Sequence, residues 1–404
     1  MKSSVRFSPL ALVLAGGAIM GLSLGVRHAQ GLFVIPLTSA HGWTRGDFAF
    51  AIALQNLIWG LAQPFTGMIA DRFGSVKVVA SGCLLYGAGL YFMSQSSGPA
   101  EFVLSAGLLI GIALSCRSFS VIYGALSRLL PLEKRAWGLG LAGAAGGLGQ
   151  FVAVPFAQNA IDGAGAEATL VLLAISVTIL ALLAFPLRDK TSDGSPAIES
   201  GSLGAVLRAA SFHKGFWMLG IGFLACGFQL AFIATHLPAY LLDKGLNGRS
   251  AMIALSLIAM ANVAGTYVFG LLGARLSKPH LLAGIYLVRS AAIAAFVLAP
   301  ISEASLYVFA VTMGFLWLGT VPLTNGIVSQ IFGVKYLGTL FGFVFLGHQI
   351  GSFLGVWLGG IVFDLTRSYD AVWICSVALG LIASALHWPI QDRPVIIAAM
   401  PRPA

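Results

Sequence analysis

Charge is scarce in this chain. Only 9% of its 404 residues are Asp, Glu, Lys or Arg, against about 25% in soluble domains. A soluble enzyme could not cover its surface with polar groups at that level, so this class is excluded. Cysteine is scarcer still: Cys83, Cys116, Cys226 and Cys375 each sit inside an apolar run, with no CxxC pair among them, which excludes a secreted disulfide scaffold. There is no Walker loop, no HExxH and no cluster of His, Cys and carboxylate. Neither direct ATP drive nor a metal nor a cofactor is therefore expected. Apolar residues are in excess instead: 58% of the chain is hydrophobic, its mean hydropathy is +0.91, and 50 glycines and 16 prolines are scattered through it. Transmembrane helices tolerate both residues better than soluble helices do. A disordered chain is excluded by the same numbers. The net charge of +9 comes from basic residues that flank apolar runs, so the expected partner is a lipid bilayer and not nucleic acid.

A helix rising 1.5 Å per residue needs about 20 apolar residues to cross ~30 Å of hydrocarbon. Twelve segments qualify: Ser8–Ile35, Asp47–Ala70, Lys77–Gln95, Glu101–Leu126, Ala136–Ile161, Glu167–Leu187, Gly215–Leu242, Arg249–Gly273, Pro279–Ala299, Ser302–Ile331, Leu337–Phe363 and Ala371–Trp388. The first is too long for a signal-peptide core and no small-x-small site follows it, so it is expected to be retained. The longest hydrophilic stretch divides them six and six. The expected fold is an all-α membrane protein with a six-helix half over residues 1–188, a cytoplasmic linker at 189–214 and a second half at 215–404. Sixteen Lys and Arg fall on the side of the termini and linker, and four on the other. By the positive-inside rule both termini lie in the cytoplasm, and the protein is multi-pass in the cytoplasmic (inner) membrane.

The halves match at an offset of 202 or 203 residues. G67-MIA-D71-R72-F73-G74 after the second span stands against G270-LLG-A274-R275-L276-S277 after the eighth. Gly111 pairs with Gly314, and Gly140, Gly149 and Asp162 with Gly342, Gly351 and Asp364. Parallel six-helix repeats with a site between them are a transporter architecture. Glycines at four-residue spacing, such as Gly17, Gly21 and Gly25, read as helix-packing contacts.

The segment GMIADRFGSVK, Gly67 to Lys77, resembles the loop 2–3 signature of the major facilitator superfamily, and the copy ending in Arg275 its degenerate partner. The glycine-rich fifth span, with Gly143, Gly146, Gly147 and Pro155, resembles the family's span-five packing motif, although no Gly-Pro dipeptide is present. Gly31–Ala51 and Gly338–Asp370 resemble bacterial members of the monocarboxylate transporter and oxalate–formate antiporter branch. The acidic start of the first span typical of the animal carriers is missing, and span eight has no arginine. The resemblance implies the major facilitator fold, a midplane site lined centrally by spans one, four, seven and ten, and a conformational latch formed by Gly67, Asp71, Arg72, Gly74 and Arg275.

All fourteen acidic residues lie in loops or at span ends, whereas Arg27, Arg117 and Arg289 lie inside spans. An arginine at mid-bilayer costs at least ~2.5–3.5 kcal/mol and faces a cavity or a counter-charge. With no buried acid to supply that charge, a substrate anion is the natural partner, and the planar guanidinium fork suits a carboxylate. Arg117, about half-way through span four by the ~1.5 Å rise, is the first candidate ligand and Arg27 the second. The competing explanation is an arginine bonded to backbone carbonyls of a broken helix. Arg289, in a peripheral span, reads as snorkelling or structural. His348, followed by Gln349 in span eleven, is a candidate for anion binding and proton coupling, and His28 a weaker one for protons. Gln229, the repeat counterpart of Arg27, with Asn325 and Trp317, completes the candidate substrate site.

The expectation is thus a monomeric secondary transporter of a small organic anion, a monocarboxylate in its narrowest form, using protons or a counter-anion by symport or exchange. An efflux carrier for drugs or other metabolites and a non-transporting membrane sensor are the alternatives; the first would want a buried carboxylate and the second a sizeable cytoplasmic domain.

Overall fold

A computed structural model of the chain describes residues 7–188, 203–333 and 337–394, and leaves aside the side chains at 71, 72, 119, 120, 127, 132, 133, 135–137 and 203. Among the described residues every regular element is helical, and twelve helices are long and apolar enough to cross a membrane. They are Pro9–His41, Arg45–Ala70, Ser75–Gln95, Pro99–Leu126, Gly138–Ala164, Ala166–Leu187, Lys214–Asp243, Gly248–Arg275, Lys278–Leu298, Glu303–Phe332, Leu337–Thr366 and Asp370–His387, called spans one to twelve below. All twelve expected segments are therefore spans.

Their ends are set by ordinary capping chemistry. Ser8 Oγ accepts the Ala11 N–H at 3.2 Å and opens span one. Span one closes on Gly42, whose φ of 67° is left-handed and suits glycine, so the chain turns within three residues into span two. There Thr44 and Asp47 cap one another reciprocally. Ser302 and Ser305 do the same at span ten, and Asn247 accepts the Ser250 N–H at span eight.

Glycine spacing decides which spans touch most closely. A Cβ at Gly21 would lie 2.7 Å from the Ala145 carbonyl oxygen, one at Gly25 2.5 Å from that of Gly149, and one at Gly149 2.2 Å from the Gly21 backbone. Spans one and five therefore run backbone against backbone, as small-xxx-small faces allow. The second half repeats the arrangement: Gly347, Gly351 and Gly355 of span eleven meet the backbone of Gly220, Leu224 and Phe228 in span seven. Spans two and four, and three and six, pack together as do eight and ten, and nine and twelve. Between the two sets, span two packs on eleven and span five on eight.

Two features depart from the sequence reading. Spans four and ten, expected as continuous helices, are each broken. In span four a wide turn over Val103–Leu109 precedes a helix that ends at Cys116; Arg117 and Ser118 leave helical geometry, and the helix restarts at Phe119. Span ten runs Glu303–Leu316, breaks, and resumes as Thr320–Phe332. The linker expected at 189–214 also contains a ten-residue helix, Leu203–Phe212, with Val206 and Ala210 buried. It is too short to span, but its apolar stripe docks it. Residues 189–202 of that linker lie outside the described residues.

Candidate functional site

The break in span four places Arg117 where a helix interior could not. Its φ of −125° carries the side chain away from the helical ladder, and it is 2% exposed. The guanidinium lies over the Tyr86 ring at 4.2 Å, and Nη1 makes a long contact of 3.9 Å to Cys83 Sγ. Nε and Nη2 are buried without a hydrogen-bond partner. A buried, charged donor left unpaired is costly, so this group is short of an acceptor. It borders a cavity of about 10 Å³ lined by Met20, Ser23, Leu24, Trp59, Leu114, Arg117 and Ser118, room for about one water molecule.

Arg27 reaches the same neighbourhood from span one. Its Nη2 donates to Asn56 Oδ1, its Nε is buried and unpaired, and its Cζ lies 5.2 Å from the Trp59 ring centroid. Trp59, Tyr86 and Asn56 were not singled out in the sequence. The repeat held a signal for one of them, since Tyr86 stands opposite Arg289, and Cys83 opposite Tyr286, at the offset of 203.

Arg289 shows the contrasting arrangement. It is 0% exposed; Nη1 donates to Cys226 Sγ at 3.3 Å, and Nη2 to the carbonyls of Leu316 and Trp317, the latter at 2.5 Å. Those carbonyls are freed by the break in span ten. The purely structural role weighed for Arg117, an arginine satisfying a broken helix, is the one Arg289 performs.

The other candidates divide. His28 donates Nε2–H to the Leu255 carbonyl of span eight at 3.0 Å and meets Trp317 edge-on at 6.1 Å, so both residues lie at the seam between the halves. His348 sits half-buried in span eleven, Nδ1 3.2 Å from Gln349 Oε1 and 3.4 Å from Ser352 Oγ, its ring stacked on Phe345. Gln229 is turned away from the arginines of the first half: its Nε2 donates to the Ser376 carbonyl of span twelve at 2.9 Å. Asn325 donates to the Val321 carbonyl of its own helix at 3.2 Å. The structure brings Arg117 and Arg27 together around Trp59, and does not bring Gln229 to them.

At the end away from the termini a polar cluster joins the halves. Arg45, opening span two, makes a bidentate pair with Asp243 at the end of span seven, at 2.5 and 2.7 Å. Its guanidinium lies 3.8 Å from the centre of the Phe363 ring and donates to Tyr369 Oη at 3.0 Å. Asp364 accepts the backbone N–H groups of Arg45 and Gly46 at 3.2 and 2.7 Å, fitting an acid to a helix N-terminus. Burial pushes the Tyr369 phenol up to about 12, so it keeps its proton and donates to His236 Nδ1 at 3.3 Å. A cleft of about 520 Å³ beside this cluster, lined by Trp43, Arg45, Phe363, Asp364 and Arg367 among others, opens far from Arg117.

At the other end, the Asp71 and Arg72 side chains of the expected latch lie outside the described residues. Gly74, at φ 90°, ends the span-two helix, and Arg275 is exposed at the end of span eight. A Cβ at Gly67 would meet nothing within 4 Å.

The model of the Major Facilitator Superfamily matches residues 12–356. An uncharacterised transporter of that type, YcxA of Bacillus subtilis, is 25% identical over 97% of this chain and 98% of its own. Human monocarboxylate transporter 11 is 27% identical, covering 92% of this chain and 81% of its own. The oxalate:formate antiporter of Oxalobacter formigenes is 23% identical over 93% and 91%. The crystal structure of a bacterial homolog of the human lysosomal transporter Spinster superposes at a TM-score of 0.75 with 14% identity, covering 94% of this chain and 96% of that one. These relatives agree with the branch that Gly31–Ala51 and Gly338–Asp370 resemble. Twelve spans in repeated sets of six and a family match across most of their length lead to one assignment: the chain belongs to the major facilitator superfamily.

Proposed function

We propose that this transporter, which is not an enzyme, moves a small organic carboxylate, in its narrowest form a monocarboxylate, by alternating access of two halves, 1–188 and 215–404, joined by the segment between them. The single observation that carries the reading is Arg117: a buried guanidinium at a helix break, with Nε and Nη2 free of partners, in a set of spans whose interiors hold no acid. Nε and Nη2 lie side by side, so the missing acceptor is a pair of oxygens, which one carboxylate supplies in the bidentate mode. The second half offers a contrast, because there Arg289, though its Nε is also without a partner, already has two carbonyl oxygens from span ten on Nη2. The names of two relatives, a monocarboxylate transporter and an oxalate:formate antiporter, point the same way.

The charge count places the termini in the cytoplasm and the Arg45–Asp243 clasp outside, so the present arrangement corresponds to a transporter closed to the outside. The 10 Å³ cavity is then a collapsed site that must widen to admit substrate. Without a buried acid, proton coupling falls to His348 or His28, or to the carboxyl group of the substrate, whereas exchange for a counter-anion needs none of them.

Uptake of labelled monocarboxylates into proteoliposomes, with and without an inward proton gradient or internal counter-anion, tests the reading. Arg117→Lys keeps the charge and loses the fork; we expect uptake to fall by about 100-fold, equivalent to ~2.7 kcal/mol for the lost charge-assisted bond, with the variant still monodisperse. Uptake that survives Arg117→Lys and Arg117→Ala refutes the assignment.

A further inference from the structure

One indole adjoins Arg27 and lines the cavity that Arg117 borders. Arg27 lies over the Trp59 ring, with Cζ 5.2 Å from its centroid. The same Trp59 forms a wall of the Arg117 cavity, among whose lining residues Arg27 is absent. The ring is held in place: Nε1–H donates to Gln63 Oε1 at 2.6 Å, and Phe345 of span eleven meets it edge-on at 5.6 Å. Span eleven comes close here, since a Cβ at Gly60 would lie 2.7 Å from Gln349 Cβ. Trp59 is therefore held in place and not a loose side chain.

We infer that Trp59 is the specificity-determining residue of the site, separating two cations so that one carboxylate is accepted and a second is refused. The inference rests on the reading of Arg117 as the carboxylate ligand. An acid bound there through its carboxylate directs its tail into a mostly apolar lining, Met20, Leu24, Leu114 and the indole, with Ser23 and Ser118 beside them. Once the site widens, a short hydrocarbon tail is at home in that space. A second carboxylate would be stripped of water beside the Ser23 and Ser118 hydroxyls, which already donate to the Ile19 and Ser115 carbonyls, while Arg27, the donor that would satisfy it, lies against the indole and outside the cavity lining. Removing the indole joins the two cations into a site of the right charge for a dicarboxylate.

The test compares kcat/KM for labelled propionate and succinate in proteoliposomes of wild type, Trp59→Phe, Trp59→Ala and Trp59→Ala with Arg27→Gln. Removing a mismatch built into a site changes discrimination more than it changes affinity. The succinate-to-propionate ratio is expected to rise about tenfold or more in Trp59→Ala, to stay within about threefold of wild type in Trp59→Phe, and to return to the wild-type value in the double variant. Trp59→Leu carries the measurement if the alanine variant does not purify as a monodisperse protein. A ratio that does not rise in either the alanine or the leucine variant overturns the inference, as does a rise that persists without Arg27, or a wild type that already takes both acids equally. When wild type carries propionate in an Arg117-dependent way and the ratio stays put, the inference alone fails. When wild type carries neither acid, the underlying reading fails with it.

Discussion

The clasp at the outer end is the part of the molecule whose disruption has the most readable consequence. Asp243→Asn keeps one oxygen acceptor for Arg45 but removes the charge from a bidentate pair. The Arg45 side chain is 12% exposed and that of Asp243 33%. The pair thus stands between surface ion pairs, worth ~0.2–1 kcal/mol, and buried ones, whose breakage costs ~3–5 kcal/mol. A value of ~1–2 kcal/mol follows, a factor of about 5–30 in the equilibrium between the state closed at this end and the state open there. The perturbation should act on conformation more than on folding, because the pair joins the two halves and leaves the packing within each intact. Spin labels at Ala100→Cys and Ala304→Cys, exposed positions at the starts of spans four and ten, report the separation by double electron–electron resonance. The longer-distance population should grow in Asp243→Asn, and again in Asp364→Asn, which frees the Arg45 and Gly46 N–H groups. Distance distributions unchanged in both variants would show that the ion pair and the helix cap do not hold the end shut.

Three further outcomes are expected. Arg289→Gln should lower thermal stability by ~2–4 kcal/mol, because the Leu316 and Trp317 carbonyls lose their buried charged donor; a shift in KM with unchanged Tm would count against a structural role. Gly149→Ala should lower Tm sharply and reduce monodispersity in detergent, since its Cβ would lie 2.2 Å from the Gly21 backbone and overpacking of that kind costs ~1–3 kcal/mol or more. His348→Gln keeps a hydrogen-bonding side chain beside Gln349 and Ser352 but cannot carry a proton; uptake stimulated by a proton gradient should disappear while exchange against internal anion persists, and gradient stimulation that survives would move proton coupling elsewhere.

The division of labour between chain and fold can be read in particular residues. Twelve spans, their six-and-six grouping and the packing role of Gly17, Gly21 and Gly25 follow from local composition and spacing, because helix length and small-residue faces are properties of short segments. The superfamily is legible for the same reason, in Gly67–Lys77 and the repeat offset. The roles of the three arginines are not. Arg117 and Arg289 look alike in sequence, each an isolated cation in an apolar helix, and span position alone ranked one above the other. Their difference depends on where spans four and ten break and on which carbonyls those breaks release. Leu316 and Trp317 are 27 and 28 residues from Arg289 in the chain, so no local pattern connects them. Gln229 matched Arg27 in the repeat, yet it bonds to span twelve, because the repeat conserves position in a helix and not the neighbour across it. Composition and span length were enough to make this chain a twelve-helix membrane protein, and the resemblance carried by Gly67–Lys77 pointed to the superfamily. Which buried guanidinium finds carbonyl oxygens, which lacks them, and that Trp59 adjoins Arg27 and lines the Arg117 cavity arise only when distant helices meet, since an unpaired donor is defined by what surrounds it in space.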